Sequence, residues 1–259
     1  MKFYKIMALI YADMMLLRNS KWRFVEYVYF PVTTIIIWGL FSVYARSFAA
    51  EAGVVVLVVN VLWNFGQLAQ QHVNMQINED SWSGSIKQIF VSGVSDMEYI
   101  TARIISSIIT SLLILALLAA ISVFAFNTVV FVTQWEIFSL LVLATLIASV
   151  GLAVMVAGMM VALGREYGFL AWTALQAFVL LSAPFYPASV YPEILRPIVA
   201  VMPFTATFEA TRAAVAGTVT QGMIINCFTV SAAYLAVSFP FYKYIFKKAL
   251  ERGWITRLG

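Results

Sequence analysis

Side-chain carboxamides form the most regular polar pattern in the sequence. The pattern, here called the amide stripe, consists of Asn60, Asn64, Gln67, Gln71 and Asn74, at intervals of four, three, four and three residues. This spacing puts all five side chains on one face of an α-helix. A carboxamide that faced lipid would lack hydrogen-bond partners, so the stripe must face another helix or a wet cavity. A seam between helices would account for it. We favour a translocation path that holds polar groups of a solute, with Glu26 joining the stripe near its entrance.

Signatures of catalysis are missing from the sequence. It contains no G-x-x-x-x-G-K-[ST] loop for ATP, no H-E-x-x-H zinc motif and no nucleophile elbow. The single histidine, His72, and the single cysteine, Cys227, offer neither a zinc site nor a disulfide. Intramembrane hydrolysis is the enzyme alternative, but no serine has a base at a suitable spacing. We therefore expect a chain that is not an enzyme, holds no cofactor or metal, and takes its energy from another polypeptide.

The composition is that of an integral membrane protein. Of the 259 residues, 63% are hydrophobic and 11% are charged, and the mean hydropathy is +0.91, so a soluble core could not hide the apolar surface. The formal net charge is +4, but the basic residues cluster near the ends of apolar segments, where lipid headgroups account for them. We predict a single all-α transmembrane domain over residues 1–259, in contact with lipid and without a nucleic-acid partner.

Six segments are long and apolar enough to cross a membrane, for which a helix needs about 20 apolar residues. They lie at residues 25–44, 52–73, 100–126, 137–163, 169–185 and 223–246. Residues 1–24 are too short to span, and Asp13 breaks the apolar stretch that a signal peptide would need. We predict an interfacial amphipathic helix there. The side chains expected to face lipid or protein are Phe3, Met7, Ile10, Met14 and Leu17.

The longest charged interval between two apolar segments, residues 74–103, should lie outside the membrane as a handle. Ser81 is predicted to cap a short helix there, with Glu79 and Asp80 placed against the positive end of the helix dipole. The apolar face of that helix would carry Trp82, Ile86, Ile89 and Phe90. An ordinary interfacial loop is the alternative interpretation.

The end of the handle carries two further local signals. Gly93 should stop the short helix, because glycine readily adopts the left-handed conformation that follows a helix. Ser95 and Glu98 form the S-x-x-E pattern of a capping box, which should open the next span. The handle is therefore predicted to be a short capped helix held between two spans.

Prolines concentrate between the fifth and sixth predicted spans, in residues 184–217. The five are Pro184, Pro187, Pro192, Pro197 and Pro203. Proline is favoured at the start of a helix, so Pro192 and Pro203 are predicted to open brief re-entrant helical pieces. Glu209 and Arg212 are three residues apart and can pair on one helix face, as a rim salt bridge or as part of a gate. In the fourth span, Ser149, Ala153 and Ala157 form a small-xxx-small pattern suited to close helix packing.

The basic residues set the orientation. Of the 16 lysines and arginines, all but Arg46, Arg196 and Arg212 fall on the side of the termini and the handle. By the positive-inside rule, both termini are cytoplasmic.

The order of these features resembles the permease subunit of type-2 ATP-binding-cassette exporters. The residues that carry the resemblance are NED-x-x-SGSIKQIFVSGVS after the second span and PFYPASVYPEILRPIVAVMPFTATFEATRAAVAG before the sixth. The resemblance covers essentially the whole chain. It implies six transmembrane helices with an N-terminal interfacial helix, a cytoplasmic coupling region at 74–98 that contains a coupling helix between Glu79 and Gly93, and re-entrant half-helices before the last span. LRNSKWRF, at residues 17–24, departs from the pattern of the polysaccharide permeases of that family.

The resemblance also implies partners and site roles. A cytoplasmic ATPase subunit would bind ATP and Mg²⁺ and contact Glu79, Asp80, Trp82, Ile86 and Phe90, while the outer gate would include Pro184, Pro203, Glu209 and Arg212. A second copy would complete a two-fold dimer in a prokaryotic inner membrane. The expected substrate is lipid-like, drug-like or a lipid-linked glycan, moved outward from the cytoplasm or inner leaflet. A structural or channel-forming subunit is the alternative.

Overall fold

The computed structural model describes residues 2–163 and 167–251, and every regular element in these ranges is helical. The predicted all-α class is confirmed. The principal helices are α1 (Phe3–Asn19), α2 (Lys21–Arg46), α3 (Ala50–Trp82), α4 (Ser85–Val91), α5 (Asp96–Phe126), α6 (Val130–Thr133), α7 (Trp135–Leu163), α8 (Leu170–Leu180), α9 (Arg196–Val201), α10 (Thr205–Val215) and α11 (Gln221–Glu251).

Five of the described helices, α2, α3, α5, α7 and α11, are long and apolar enough to cross a membrane. The fifth predicted span, residues 169–185, contains only α8, whose 11 residues rise about 16 Å, roughly half the thickness of a hydrocarbon core. The chain turns away at Ala183, which has a positive φ of 49°, and Pro184 follows. A continuous span through residue 185 is therefore not formed.

The helices α3 and α7 form the centre of the bundle. In their most apolar windows, 67% and 72% of the residues are buried, against 22% for α2 and 17% for α11. The outer helices thus leave apolar side chains on the surface, such as Ile37 and Leu40 of α2 and Val237 of α11. Such a surface is suited to lipid or to another apolar partner.

Small residues let α7 pack closely on two sides. A Cβ atom on Gly151 would lie 3.0 Å from the backbone nitrogen of Leu235 in α11. On the other side, Ser149 and Ala153 are fully buried, and the carbonyl of Ala153 accepts a hydrogen bond from Asn74 of α3 at 2.9 Å. Gly151 therefore allows close packing against α11, whereas the row of small residues packs against α3.

The first helix, α1, lies against α5, with Ile6 and Ile10 packed on Ala102. Phe3 and Met7, which were expected on the same apolar face as Ile10, are exposed. Asp13 is buried on the packed face, because it has a charged partner in α5. The apolar periodicity alone did not reveal this orientation.

The start of the handle differs from the prediction. Ser81 does not cap the short helix; it lies in the last turn of α3 and its hydroxyl donates to the carbonyl of Ile77 at 2.8 Å. The short helix α4 begins at Ser85, after Gly84 adopts a left-handed φ of 72°. Glu79 and Asp80 therefore lie at the C-terminal end of a long helix and not at the N-terminus of α4. The capping box of Ser95 and Glu98 is confirmed.

Candidate functional site

A buried charge cluster joins α1, α3 and α5 at the handle end of the bundle. Arg103 is 3% exposed; its guanidinium donates to Asp13 and, at 2.5 Å, to Asp80. The Asp13 carboxylate also accepts from the Ser106 hydroxyl at 2.7 Å. Because a buried charge is costly unless it is paired and hydrogen-bonded, the two carboxylates and the guanidinium depend on each other. We call these residues and Tyr99 the Arg103 network.

The Arg103 network reaches the short helix α4 through Asp80. The Asp80 carboxylate accepts from the Tyr99 hydroxyl at 2.5 Å and from the Ser85 hydroxyl, in the first turn of α4, at 2.9 Å. The guanidinium of Arg103 lies 4.9 Å from the centre of the Tyr99 ring. Asp80 therefore ties the start of α4 to α5 and, through Arg103, to α1.

The helix α4 has an anchored side and an exposed side. Ile86 is 1% exposed and packs in a cluster with Ile77, Tyr99 and Ile100, and Phe90 contacts the ring of Tyr99 at 5.5 Å between centroids. Val91 is 88% exposed. Trp82, at the end of α3 just before this helix, is also exposed, at 60%.

The predicted coupling residues thus divide into two groups. Ile86 and Phe90 face the bundle within this chain, and Asp80 lies in the Arg103 network. Glu79 pairs with Arg23 of α2 at 2.5 Å, and Trp82 is the member with the largest exposed apolar surface. Only part of the predicted set is therefore available for direct contact with a partner.

The N-terminus of α1 is fastened to the far end of the handle. The Lys5 ammonium donates to the carbonyl of Gly93, and the backbone N–H of Lys2 donates to the Glu98 carboxylate. Glu98 also accepts from the backbone N–H of Ser95 at 2.9 Å. The handle is therefore held at both ends, by Asp80 and by Glu98.

A cavity of about 320 Å³ lies between α2, α3 and α8. Four members of the amide stripe line it, and the fifth lies in a seam between helices. The four are Asn60, Asn64, Gln67 and Gln71, and Glu26 lines the cavity with them. The fifth, Asn74, is fully buried between α3 and α7 and bonds to Ala153 and Gln70.

The stripe has partners that the sequence did not indicate. Gln176 of α8 also lines the cavity, and its amide donates to the carbonyl oxygen of Gln67 at 3.0 Å. Within α3 the Asn64 amide donates to the Asn60 side chain at 3.0 Å. Gln71, which also lines the cavity, forms no side-chain hydrogen bond with the described residues.

Aromatic rings close the end of the cavity next to the proline-rich region. Trp38 of α2 stacks on Phe185 with 5.1 Å between ring centroids, and Trp63 of α3 lies 5.9 Å from the same ring. The segment that carries Phe185 is held by Arg212, which donates to the carbonyls of Ala183 and Pro184 at 2.7 and 3.1 Å. Phe185 was not among the residues predicted for this region's function.

The predicted pair between Glu209 and Arg212 is not formed. Within the described parts of the chain, Arg212 makes no salt bridge within 4.0 Å, because its guanidinium is directed at the two carbonyls. Pro192 does not open a helix either. The first turn of α9 contains Pro197 instead, and Pro203 lies two residues before α10.

The helices α9 and α10 form a hairpin that reaches deep into the bundle. Its turn, residues 202–204, brings the Phe204 ring within 3.8 Å of the position that a Cβ on Gly66 would occupy. Gly66 is the central residue of α3, and Ser149, beside it, is the central residue of α7. The Thr205 hydroxyl and the Tyr234 hydroxyl donate to the carbonyls of Val199 and Val201 at 2.6 and 3.0 Å. Neighbouring side chains thus satisfy backbone groups around the turn.

A second polar stripe escaped the sequence interpretation. Tyr99, Arg103, Ser106 and Thr110 follow at intervals of four, three and four residues on α5, and all are buried. This rhythm is as regular as that of the amide stripe and could have indicated the Arg103 network. Within residues 2–163 and 167–251, His, Cys, Asp and Glu side chains form no group of three or more that could hold a metal ion.

Comparison with protein families identifies most of the chain. The family model described as ABC-2 type transporter matches residues 5–216, which include most of α1, the handle, the cavity helices and the α9–α10 hairpin. A search of curated proteins finds no match. Members of the family are membrane transport components that work with a cytoplasmic ATPase and are not themselves catalytic. The chain therefore belongs to the ABC-2 type transporter family, as the membrane-spanning permease subunit of an ABC transporter.

Proposed function

We propose that this permease is the membrane half of an exporter, which moves a lipid-like, drug-like or lipid-linked glycan substrate out of the cytoplasm or inner leaflet. The observation that carries the proposal is the two-sided helix α4. Ile86 anchors it to the bundle, while Val91 exposes an apolar side chain, as Trp82 does at the end of α3. An element that is rigidly packed on one side and exposed on the other can pass a partner's movement to the bundle.

In this proposal α4 is the coupling helix. The ATPase contacts Trp82 and Val91 directly, whereas Ile86, Phe90 and Asp80 transmit the movement to α5 and α1, with Glu79 on the polar flank. The same ATPase would carry ATP and Mg²⁺. The route follows the cavity and its four amides, towards an outer gate formed by Pro184, Arg212 and the α9–α10 hairpin with Pro203 and Glu209.

Assembly and location complete the proposal. Two copies form a two-fold dimer, since the apolar surfaces of α2 and α11 can pair with a second copy or with lipid. The membrane is a prokaryotic inner membrane, and both termini lie in the cytoplasm, on the side that holds most of the basic residues.

The test is a single charge on the exposed side of α4. In vesicles that contain the permease and its ATPase subunit, Val91→Asp should abolish ATPase binding and ATP-dependent transport, because a carboxylate would be desolvated in the apolar contact. The matched control is Val129→Asp, an exposed valine beyond the other end of α5, which should transport normally. Normal ATPase binding by Val91→Asp would refute the docking surface. Solute flux that does not depend on ATP would favour a channel-forming subunit instead.

A further inference from the structure

The charged part of the cavity lining is negative. Among the described residues that line it, Glu26 is the one carboxylate, and no lysine, arginine or histidine contributes. The other polar groups are uncharged: carboxamides, the hydroxyls of Tyr27 and Thr34, and the indole N–H groups of the tryptophans. Carboxamides are neutral, so they can orient a polar ligand but cannot balance a charge. A positively charged ligand would therefore meet attraction, and an anion would meet repulsion.

Glu26 has no salt-bridge or hydrogen-bond partner within the described residues, although the charge of Arg23 lies near enough to act on it. Arg23, one turn earlier in α2, is paired with Glu79 at 2.5 Å. A carboxylate near the start of a membrane-crossing helix is costly unless a cation or water accompanies it. The cavity beside it provides the space for such a cation.

Aromatic rings supply the second part of a cation site. Five of the lining residues are aromatic: Tyr27, Phe30, Trp38, Trp63 and Trp172. The faces of tryptophan and tyrosine rings attract organic cations, and they also cover apolar groups. Trp38 is held by its stack on Phe185, so this part of the wall is formed without a ligand.

The two kinds of group are separated along the helices. From Glu26 to Trp38 the helix rises about 18 Å, with the acid at one end, the stacked tryptophan at the other and the amides of α3 between them. The volume of about 320 Å³ is that of a site for one small organic molecule.

We propose that the cavity binds an organic cation that carries apolar groups about the size of an aromatic ring. Glu26 balances the charge of the cation, and its apolar groups pack on Trp38 and Trp63. The proposal deepens the proposed function and rests on it, since it names the substrate class of the same route.

The test compares two ions of matched shape and opposite charge, tetraphenylphosphonium and tetraphenylborate. Their equilibrium binding to the full-length permease in lipid nanodiscs, without ATPase or ATP, is measured after subtraction of binding to empty nanodiscs. Wild type should bind the phosphonium saturably and in preference to the borate. Glu26→Gln should bind the phosphonium roughly tenfold more weakly, as expected for loss of a charged partner. Glu51→Gln, which neutralises an exposed acid in the first turn of α3, should bind like wild type.

A second variant leaves Glu26 in place. Gln176→Lys adds a positive charge to the same cavity and should weaken phosphonium binding while strengthening borate binding. Equal binding of the two ions by wild type, or equal phosphonium binding by Glu26→Gln and Glu51→Gln, would overturn the proposal. Because no ATPase is present, either failure would leave the coupling role of α4 to its own test with Val91→Asp.

Discussion

Replacing Arg103 by methionine would leave Asp13 and Asp80 close together without their shared counter-charge. Asp13 is 1% exposed and retains only the Ser106 hydroxyl, while Asp80 retains the hydroxyls of Tyr99 and Ser85. Removing one partner of a buried ion pair typically costs about 3–5 kcal/mol, and a methionine of similar length keeps most of the apolar packing. We expect Arg103→Met to lower the free energy of unfolding by this amount and to loosen the packing of α1 against α5.

The assay is thermal unfolding of the detergent-solubilised protein, followed by tryptophan fluorescence, with protease cleavage within α1 as a local probe. A loss of about 3 kcal/mol corresponds to a fall in the apparent unfolding temperature of roughly 6–12 °C for a chain of this size. The matched control, Lys247→Met, removes an exposed cation with a weak 3.9 Å partner and should stay within about 0.5 kcal/mol of wild type. The double variant Asp13→Asn with Arg103→Met should recover part of the loss, because asparagine needs no counter-charge.

The reasoning fails if Arg103→Met unfolds within about 0.5 kcal/mol of wild type, as surface charges do. It also fails if the double variant is as unstable as the sum of the single variants, because the two residues would then be independent.

Three other predictions rest on single contacts. Gly151→Val should destabilise the protein by about 1–3 kcal/mol, because its Cβ would lie 3.0 Å from the α11 backbone. Gly222→Ala, whose Cβ would meet its nearest neighbour at an ordinary contact distance of 3.9 Å, is the control in the same unfolding measurement. Burial and the hydrogen bond with Tyr186 raise the pKa of Tyr191 to about 12, so its contribution to stability is complete below its ordinary value of 10 and is lost as the pH rises towards 12. The stability of Tyr191→Phe should not show this loss between pH 10 and 12. A variant with the same pH profile as wild type would contradict the prediction. Arg212→Met should release the Ala183 and Pro184 carbonyls and raise the ATP-independent leak of a dye from vesicles. A leak no greater than that of wild type would show that Arg212 does not contribute to an outer gate.

The sequence was informative where a single local rule determines the structure. The capping box of Ser95 and Glu98 formed as predicted, since both of its hydrogen bonds are made within one turn. Hydropathy located the five long helices, because each must be apolar over most of its length. It overextended the predicted fifth span, where residues 181–185 are apolar enough to continue a helix but Ala183 and Pro184 turn the chain.

Contacts between distant segments could not be predicted from local patterns. Asp13 was interpreted as an interruption of an apolar helix, and Arg103 only as one of the basic residues that set orientation, although they are partners 90 positions apart. The periodicity of the amide stripe could not distinguish Asn74, which bonds to α7, from the four residues that line the cavity. Which side of α4 is buried likewise depended on α5 and α11.

The depth of the α9–α10 hairpin has a consequence for the order in which the chain is built. The turn at residues 202–204 lies beside the central residues of α3 and α7, and the carbonyl of Val201 is satisfied by Tyr234 of α11, which is synthesised later. Lipid offers no partners for such backbone groups, so the hairpin is not stable at that depth as an isolated insert. We therefore expect the hairpin to reach its final position only together with the helices that surround it, including the last one.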